Sequence, residues 1–219
     1  IIPVGAWVLG RRRSVAERLN LAFRAKRLPD LRLQPPDYKL GRARLRGAEH
    51  SLRRDRVAVT YHYDVSRRFY ALWLDRRLVY SCALFSSLDD DLDTAQERKL
   101  EYICRKLRLR PGDRLLDIGC GWGGLILYAA ERFGVQALGI TLSTAQAEVA
   151  RERVGVAGLE ARCRVEVCDY RELDEADGFD KLVSVGMVEH VGRAQLDAYF
   201  GAASRLLRPG GAFLNHGIA

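Results

Sequence analysis

Leu115-Leu116-Asp117-Ile118-Gly119-Cys120-Gly121-Trp122-Gly123-Gly124 decides how this chain is read. Leu115, Leu116 and Ile118 suit a buried strand, with Asp117 at its end. Gly119, Gly121 and Gly123 then alternate, so the backbone can turn tightly and approach a ligand without Cβ interference. The apolar stretch over 124–133 predicts a helix whose N-terminal amides face the turn. Dinucleotide enzymes place G-x-G-x-x-G at the same point. The spacing here is Asp-x-Gly-x-Gly-x-Gly, and the carboxylate before the first glycine suits a ligand that is cationic or rich in hydroxyls and amines. S-adenosylmethionine is such a ligand, and a strand-to-helix turn without any ligand is the bland alternative.

Outward from that turn, strands are predicted over 114–118, 136–140, 163–167, 181–185 and 212–215, with helices over 124–133, 143–154 and 193–207. Two earlier helices are expected over 66–74 and 94–107, the second ending before Pro111-Gly112. Strands alternating with helices imply an α/β fold, a mainly parallel doubly wound sheet covered on both faces. Such a sheet binds its ligand at the strand ends. After the second strand, where a dinucleotide site offers an acidic residue, the chain reads Gly139-Ile140-Thr141-Leu142-Ser143 with Gln146 one turn later, which counts against NAD. After the third comes Cys168-Asp169-Tyr170; Asp169 can accept from an adenine amine and Tyr170 can pack beside the ring, while a loop or capping carboxylate is the alternative for Asp169.

The 219 residues are 48% hydrophobic, enough for one sizeable core with a small appendage. Five cysteines, at 82, 104, 120, 163 and 168, contain no C-x-x-C pair, so neither a disulfide framework nor a zinc site is indicated and a reducing cytoplasm is expected. No apolar run has the length of a membrane span. The chain lacks an initiating Met and ends inside an apolar segment, and is expected to be an excerpt of something longer.

Charge is uneven. Residues 1–56 carry 15 Lys/Arg against 5 Asp/Glu, a net of +10, whereas the remainder carries 21 against 23, a net of −2. Ser14 and Glu17 form a capping box and Val15, Leu19, Ala22 and Phe23 recur at helical spacing, predicting a basic amphipathic helix over 14–28. Such a leader can rest on an anionic membrane surface, track nucleic acid or form a solvated face.

Several separate motifs together resemble the cyclopropane-fatty-acyl-phospholipid synthases and the related mycolic acid cyclopropane synthases. They are His62-Tyr63-Asp64, Tyr80-Ser81-Cys82-Ala83, the 115–124 segment, Thr141-Leu142-Ser143 with Gln146, Asp169-Tyr170, Val185 to Gly192, and Asn215-His216-Gly217-Ile218. The resemblance implies a Rossmann-like class I methyltransferase domain over 57–219, lacking its C-terminal strands, after a basic, largely helical leader over 1–56. It implies that S-adenosylmethionine lies among Tyr63, Tyr80, Ser81, Asp117, Gly119, Cys120, Gly121, Trp122, Gly123, Thr141, Leu142, Ser143, Gln146, Asp169 and Tyr170. It further implies bicarbonate as a bound base, held by Cys82, Glu189, His216 and the backbone of Ile218, with a tyrosine ligand beyond Ala219.

The implied reaction joins the sulfonium methyl to the cis double bond of an unsaturated phospholipid acyl chain. The resulting carbocation loses a proton from the new methyl group and closes a ring. A small anion reaches that proton without forcing a side-chain carboxylate into an apolar tunnel. Taken singly, Cys82 reads as a small buried hydrophobe, His216 as a core histidine and Glu189 as a cap; His62 and His190 read as structural. The expected enzyme is cytoplasmic and peripheral to the inner membrane face, with no nucleic-acid partner; a homodimer stays open. The alternatives are a methyltransferase making methyl-branched fatty acids or acting on small amines, an RNA methyltransferase, and an inactive cofactor-binding remnant.

Basic residues near an anionic surface contribute about 1 kcal/mol each. Replacing Arg11, Arg12, Arg13, Arg18 and Arg24 with glutamine should therefore weaken co-sedimentation of the intact protein with anionic liposomes; unchanged sedimentation would dismiss a membrane role for the leader.

Overall fold

The computed structural model describes Ala48, residues 50–63 and residues 67–218. The helix expected over 14–28 lies outside them. The chain divides into two compact units, Ile1–Arg42 and Ala43–Ala219, and every described residue belongs to the second. Five strands form one sheet in the order β3-β2-β1-β4-β5: β1 is Arg114–Ile118, β2 Gln136–Thr141, β3 Cys163–Val167, β4 Phe179–Val185 and β5 Leu207–His216. The α-helices are α1 Leu52–Tyr63, α2 Arg67–Tyr70, α3 Leu92–Lys106, α4 Gly124–Phe133, α5 Thr144–Val156 and α6 Leu196–Leu206. Helix α1 runs across residues 56 and 57, where the leader was expected to end.

All pairings are parallel, and Leu116 of the central β1 pairs with Leu138 of β2 and Leu182 of β4. The chain works outward to β3 through α4 and α5, then passes back over β1 to lay down β4. Strand order therefore reverses between β1 and β4, the place where a doubly wound sheet opens a ligand crevice at its carboxyl ends.

Alternation along the strands divides the core into two layers. Leu115, Ala137 and Val183 pack with Leu100 and Ile103 of α3, Ile126 of α4 and Ala147 of α5. Leu116, Ile118, Leu138, Ile140 and Leu182 face the opposite way, onto Phe179, Ala203 and Leu206. Because helices cover both faces, β2 is buried continuously from Ala137 to Thr141. Each fully buried Leu or Ile contributes about 1.5–3 kcal/mol of transfer free energy. The helix ends follow local chemistry. Asp91 caps α3, its side chain accepting from the Thr94 amide at 2.7 Å. Ser143 caps α5 by accepting from the Gln146 amide at 3.2 Å, and α4 closes on Gly134 at φ +68°.

Three elements depart from expectation. The helix predicted over 66–74 stops at Tyr70; the next amides make turns, with Leu72 donating to Phe69 and Trp73 to Tyr70. Tyr70 is drawn onto Trp122, ring centroids 4.6 Å apart, with Trp73 and Tyr80 packed beside it, so tertiary packing overrides local helical spacing. The helix predicted from 193 opens as a single 3₁₀ turn over Arg193–Gln195, after Gly192 at φ +74°, and becomes α-helical at Leu196. Strand β5 begins at Leu207 instead of 212, since its register against β4 shifts between Phe179 and Lys181 and absorbs residues 208–211.

Close packing helps to bind the glycine turn to the sheet. A Cβ on Gly139 of β2 would lie 2.8 Å from both Cβ and Sγ of Cys120. Gly139→Ala should push the turn off β2 and cost roughly 1–3 kcal/mol, read as a lowered Tm of the intact protein; an unchanged Tm would show that the turn is not packed against β2.

Candidate active site

The turn after β1 is anchored by its neighbour. The Gly119 and Cys120 amides both donate to the Ile140 carbonyl, at 3.0 and 2.9 Å, and the Gly123 amide donates to the Cys120 carbonyl at 3.0 Å. Gly119, Gly121 and Gly123 have φ of +86°, +54° and +80°, where L-residues with a Cβ are strained. A Cβ on Gly119 would also lie 3.0 Å from Met187 Cγ, so glycine lets the loops after β1 and β4 approach.

Above these strand ends lies a cavity of about 170 Å³. Its wall takes Asp117, Gly119, Cys120, Gly121 and Trp122 from β1 and its turn, and Thr141, Leu142 and Gln146 from the end of β2 and the start of α5. Asp169 and Tyr170 come from the loop after β3, and Tyr80 and Ser81 from the segment before α3. Gly123 and Ser143 do not line it; they stand behind it as the caps of α4 and α5. The side chain of Tyr63 lies outside the described residues.

The polar groups differ in how much of their hydrogen-bonding capacity is already used. Asp117 is 3% exposed and makes no hydrogen bond or ion pair among the described residues; burial pushes its carboxyl up to about 7. Thr141 Oγ1 donates to Gln146 Oε1 at 2.8 Å and accepts from the Ser143 amide at 3.2 Å, so the Gln146 carboxamide is oriented with its NH2 group toward Gly121. Asp169 is 2% exposed. Its Oδ1 accepts from the Arg171 amide at 2.9 Å and from Nε at 2.8 Å, and its Oδ2 accepts from Nη2 at 2.6 Å. A carboxylate has about four acceptor sites, which leaves Oδ2 able to take one more donor. The Tyr170 ring stands edge-on to Tyr199, centroids 5.4 Å apart.

Two basic residues of this wall, Arg171 and Lys99, lie outside the motifs. Arg171 also donates to the His50 carbonyl and to Asp55 Oδ2, each at 2.9 Å, and so ties the start of α1 to the loop after β3. Lys99 of α3 lines the cavity at 4% exposure, its Nζ donating to Ser81 Oγ at 2.6 Å and lying 3.4 Å from the Ser81 carbonyl. Burial pushes its ammonium down to about 8 against the pull of Asp75 and Cys82. Gln96, on the same face, donates to the Val79 and Ser81 carbonyls at 3.1 and 2.8 Å, which stitches the Tyr80-Ser81-Cys82 segment onto α3. A charged residue among Ala95, Leu100 and Ile103 is a signal that could have singled out Lys99.

The residues expected around bicarbonate are gathered less completely. The Ile218 amide donates to Glu189 Oε1 at 2.6 Å, and His216 ends β5 opposite Val185. Glu189 and Ile218 are exposed, Cys82 is exposed beside Ser81, and none of the four lines the cavity. His190, read as structural from sequence, does line it.

Comparison with known proteins agrees with this architecture. Residues 50–219 match the mycolic acid cyclopropane synthetase family. A probable fatty acid methyltransferase of Pseudomonas putida is 47% identical over 185 residues, covering 84% of this chain and 45% of that protein. The cyclopropane-fatty-acyl-phospholipid synthase of Escherichia coli K12 is 40% identical over 206 residues, covering 92% and 52% respectively. A crystal structure of a mycolic acid cyclopropane synthase complexed with SAH and CTAB superposes with a TM-score of 0.70 at 39% identity, covering 73% of this chain and 55% of that one. The chain thus spans about half the length of the relatives it matches. With its parallel sheet, its glycine turn and this match over residues 50–219, the chain belongs to the mycolic acid cyclopropane synthetase family and has the fold of the class I S-adenosylmethionine-dependent methyltransferases.

Proposed function

We propose that the cavity binds S-adenosylmethionine and that the intact protein transfers its methyl carbon to the cis double bond of an unsaturated acyl chain in membrane phospholipid, forming a cyclopropane ring. The observation that carries the cofactor reading is Asp117, a buried carboxylate without a hydrogen-bond or ion-pair partner among the described residues, beside three glycines at positive φ. A cationic ligand relieves that burial, and the glycines let it approach the backbone. The free acceptor site on Asp169 suits an adenine amine, the Gln146 NH2 group a hydroxyl, and the Tyr170 face an aromatic ring. The structures of relatives include one complexed with SAH.

When bound, the cofactor supplies an electrophilic methyl group on a sulfonium. The chain's own task is then positioning and the exclusion of water, because an alkene is a weak nucleophile and gains most from alignment. Trp122, Leu125, Met187 and Val191 give the cavity an apolar side, and exposed Leu84, Phe85 and Leu88 follow Cys82 directly. No helix among the described residues is long and apolar enough to cross a membrane, so the proposed route to the substrate is peripheral binding at the inner face.

Bicarbonate as the acceptor of the last proton belongs to the same proposal. Its chemistry asks for one acceptor and several donors, and Glu189 beside the Ile218 amide offers one of each. An anion there would take over the amide hydrogen bond and return its hydroxyl to Glu189, with His216 as a further donor and Cys82 as a weak one. The higher identity to a protein named as a fatty acid methyltransferase supports a second reading, methyl transfer to the acyl double bond without ring closure.

Incubating the intact protein with methyl-labelled cofactor and unsaturated phospholipid vesicles should give labelled lipid carrying cyclopropyl protons in its NMR spectrum. Labelled methyl-branched or methylene-branched chains would favour the second reading; labelled RNA or amines, or binding without turnover, would overturn both.

Asp117 provides an independent check with opposite signs for fold and function. Its carboxyl titrates at 3.8 in the unfolded reference and at about 7 when buried, so the folded state binds more protons and stability falls as pH rises between those values. Asp117→Asn should therefore raise the Tm of the ligand-free protein at pH 8 while weakening SAH binding about tenfold or more. Thermal unfolding and calorimetry would show both; unchanged SAH affinity would remove Asp117 from the site.

A further inference from the structure

Two buried ionic groups of opposite sign face this cavity, and neither forms an ion pair among the described residues. Asp117 is one. Lys99 is the other, since no carboxylate forms an ion pair with it among the described residues; it donates to the hydroxyl and carbonyl of Ser81. Asp75 attracts Lys99 from beyond ion-pair distance and accepts from the Arg77 and Val79 amides, at 2.9 and 2.7 Å. Burying an ammonium without a counter-ion is costly, and a methionine of similar shape would fill the same space without that cost. Pinning Ser81 accounts for the hydrogen bonds of Lys99; a ligand with a negative end would account for the buried charge.

The direction of the hydrogen bond matters as well. Lys99 can only donate, so the Ser81 hydroxyl accepts from it and keeps its own proton to give elsewhere. Ser81 lines the cavity beside Gly186, whose Cβ position lies 3.7 Å from Ser81 Cβ. Lys99 and Ser81 thus form a two-donor unit, with a positive charge behind it, on the wall that also holds Asp117. A carboxylate and an ammonium facing one pocket complement a zwitterion, and the amino-acid end of S-adenosylmethionine is one.

We propose that Lys99, directly and through the hydroxyl of Ser81, holds the carboxylate of the cofactor's amino-acid end while Asp117 holds its ammonium. The assignment rests on the reading of the cavity as an S-adenosylmethionine site. It makes Lys99 a cofactor-binding residue supplied by α3, a helix that precedes the nucleotide-binding sheet in the chain.

The test compares two ligands by calorimetry on the intact protein: SAH, which carries the amino-acid end, and 5′-methylthioadenosine, which keeps the adenosine thioether and lacks it. Lys99→Met should weaken SAH about 10- to 100-fold, as expected for a lost charged hydrogen bond, and leave methylthioadenosine within about twofold, with Tm unchanged or raised. Ser81→Ala leaves α3 intact and should show the same selectivity at smaller size, which keeps the test decisive if the Met variant does not fold. A loss shared equally by both ligands, or undiminished SAH binding, overturns the role of Lys99 alone. Wild-type protein that binds neither ligand overturns the cofactor reading and this assignment with it.

Discussion

The shared acceptance of two amides, from Gly119 and Cys120, by the single carbonyl of Ile140 is the constraint on which the rest of the site depends. It fixes the first glycine turn to the end of β2, and Gly139 has no side chain to hold the two apart. From this anchor the start of α4 is aimed, the Asp117 carboxylate is left buried in the cavity wall, and Met187 can close in from the loop after β4. The sheet's order reversal opens space at this point, and the anchored turn gives that space a shape.

The wall around that space is assembled from distant parts of the chain, and its polar residues differ in what they still lack. Thr141, Ser143 and Gln146 satisfy one another and present a fixed surface. Asp169 is mostly satisfied by Arg171. Asp117 and Lys99 form no ion pair among the described residues. Buried charges of this kind are a cost to the ligand-free fold, and their cost is tolerated where a bound partner removes it.

The sheet was readable because a parallel strand covered on both sides leaves a nearly continuous apolar run, as in Leu115 to Ile118, broken only by Asp117, and Ala137 to Ile140, and because Gly134 and Ser143 mark helix ends by their own chemistry. The fate of 66–74 was not, because the spacing of Phe69, Leu72 and Trp73 suits a helix equally well until Tyr70 meets Trp122, far along the chain. The same holds for the site. Its glycines and the Asp169-Tyr170 pair announce themselves locally. Arg171 gains its meaning only from His50 and Asp55, 121 and 116 residues away, and Lys99 only from the segment that folds back across α3. Glu189 and Ile218 meet through a backbone amide, which no residue type in the sequence advertises.

Arg171 brings one last consequence. Its guanidinium grips Asp169 on one side and Asp55 with the His50 carbonyl on the other. A charge removed from α1 is therefore felt at Asp169 in the cavity wall, without any contact between the two carboxylates being required. His50 and Asp55, far back in the chain, are thus yoked through one planar cation to a buried carboxylate in the cavity wall.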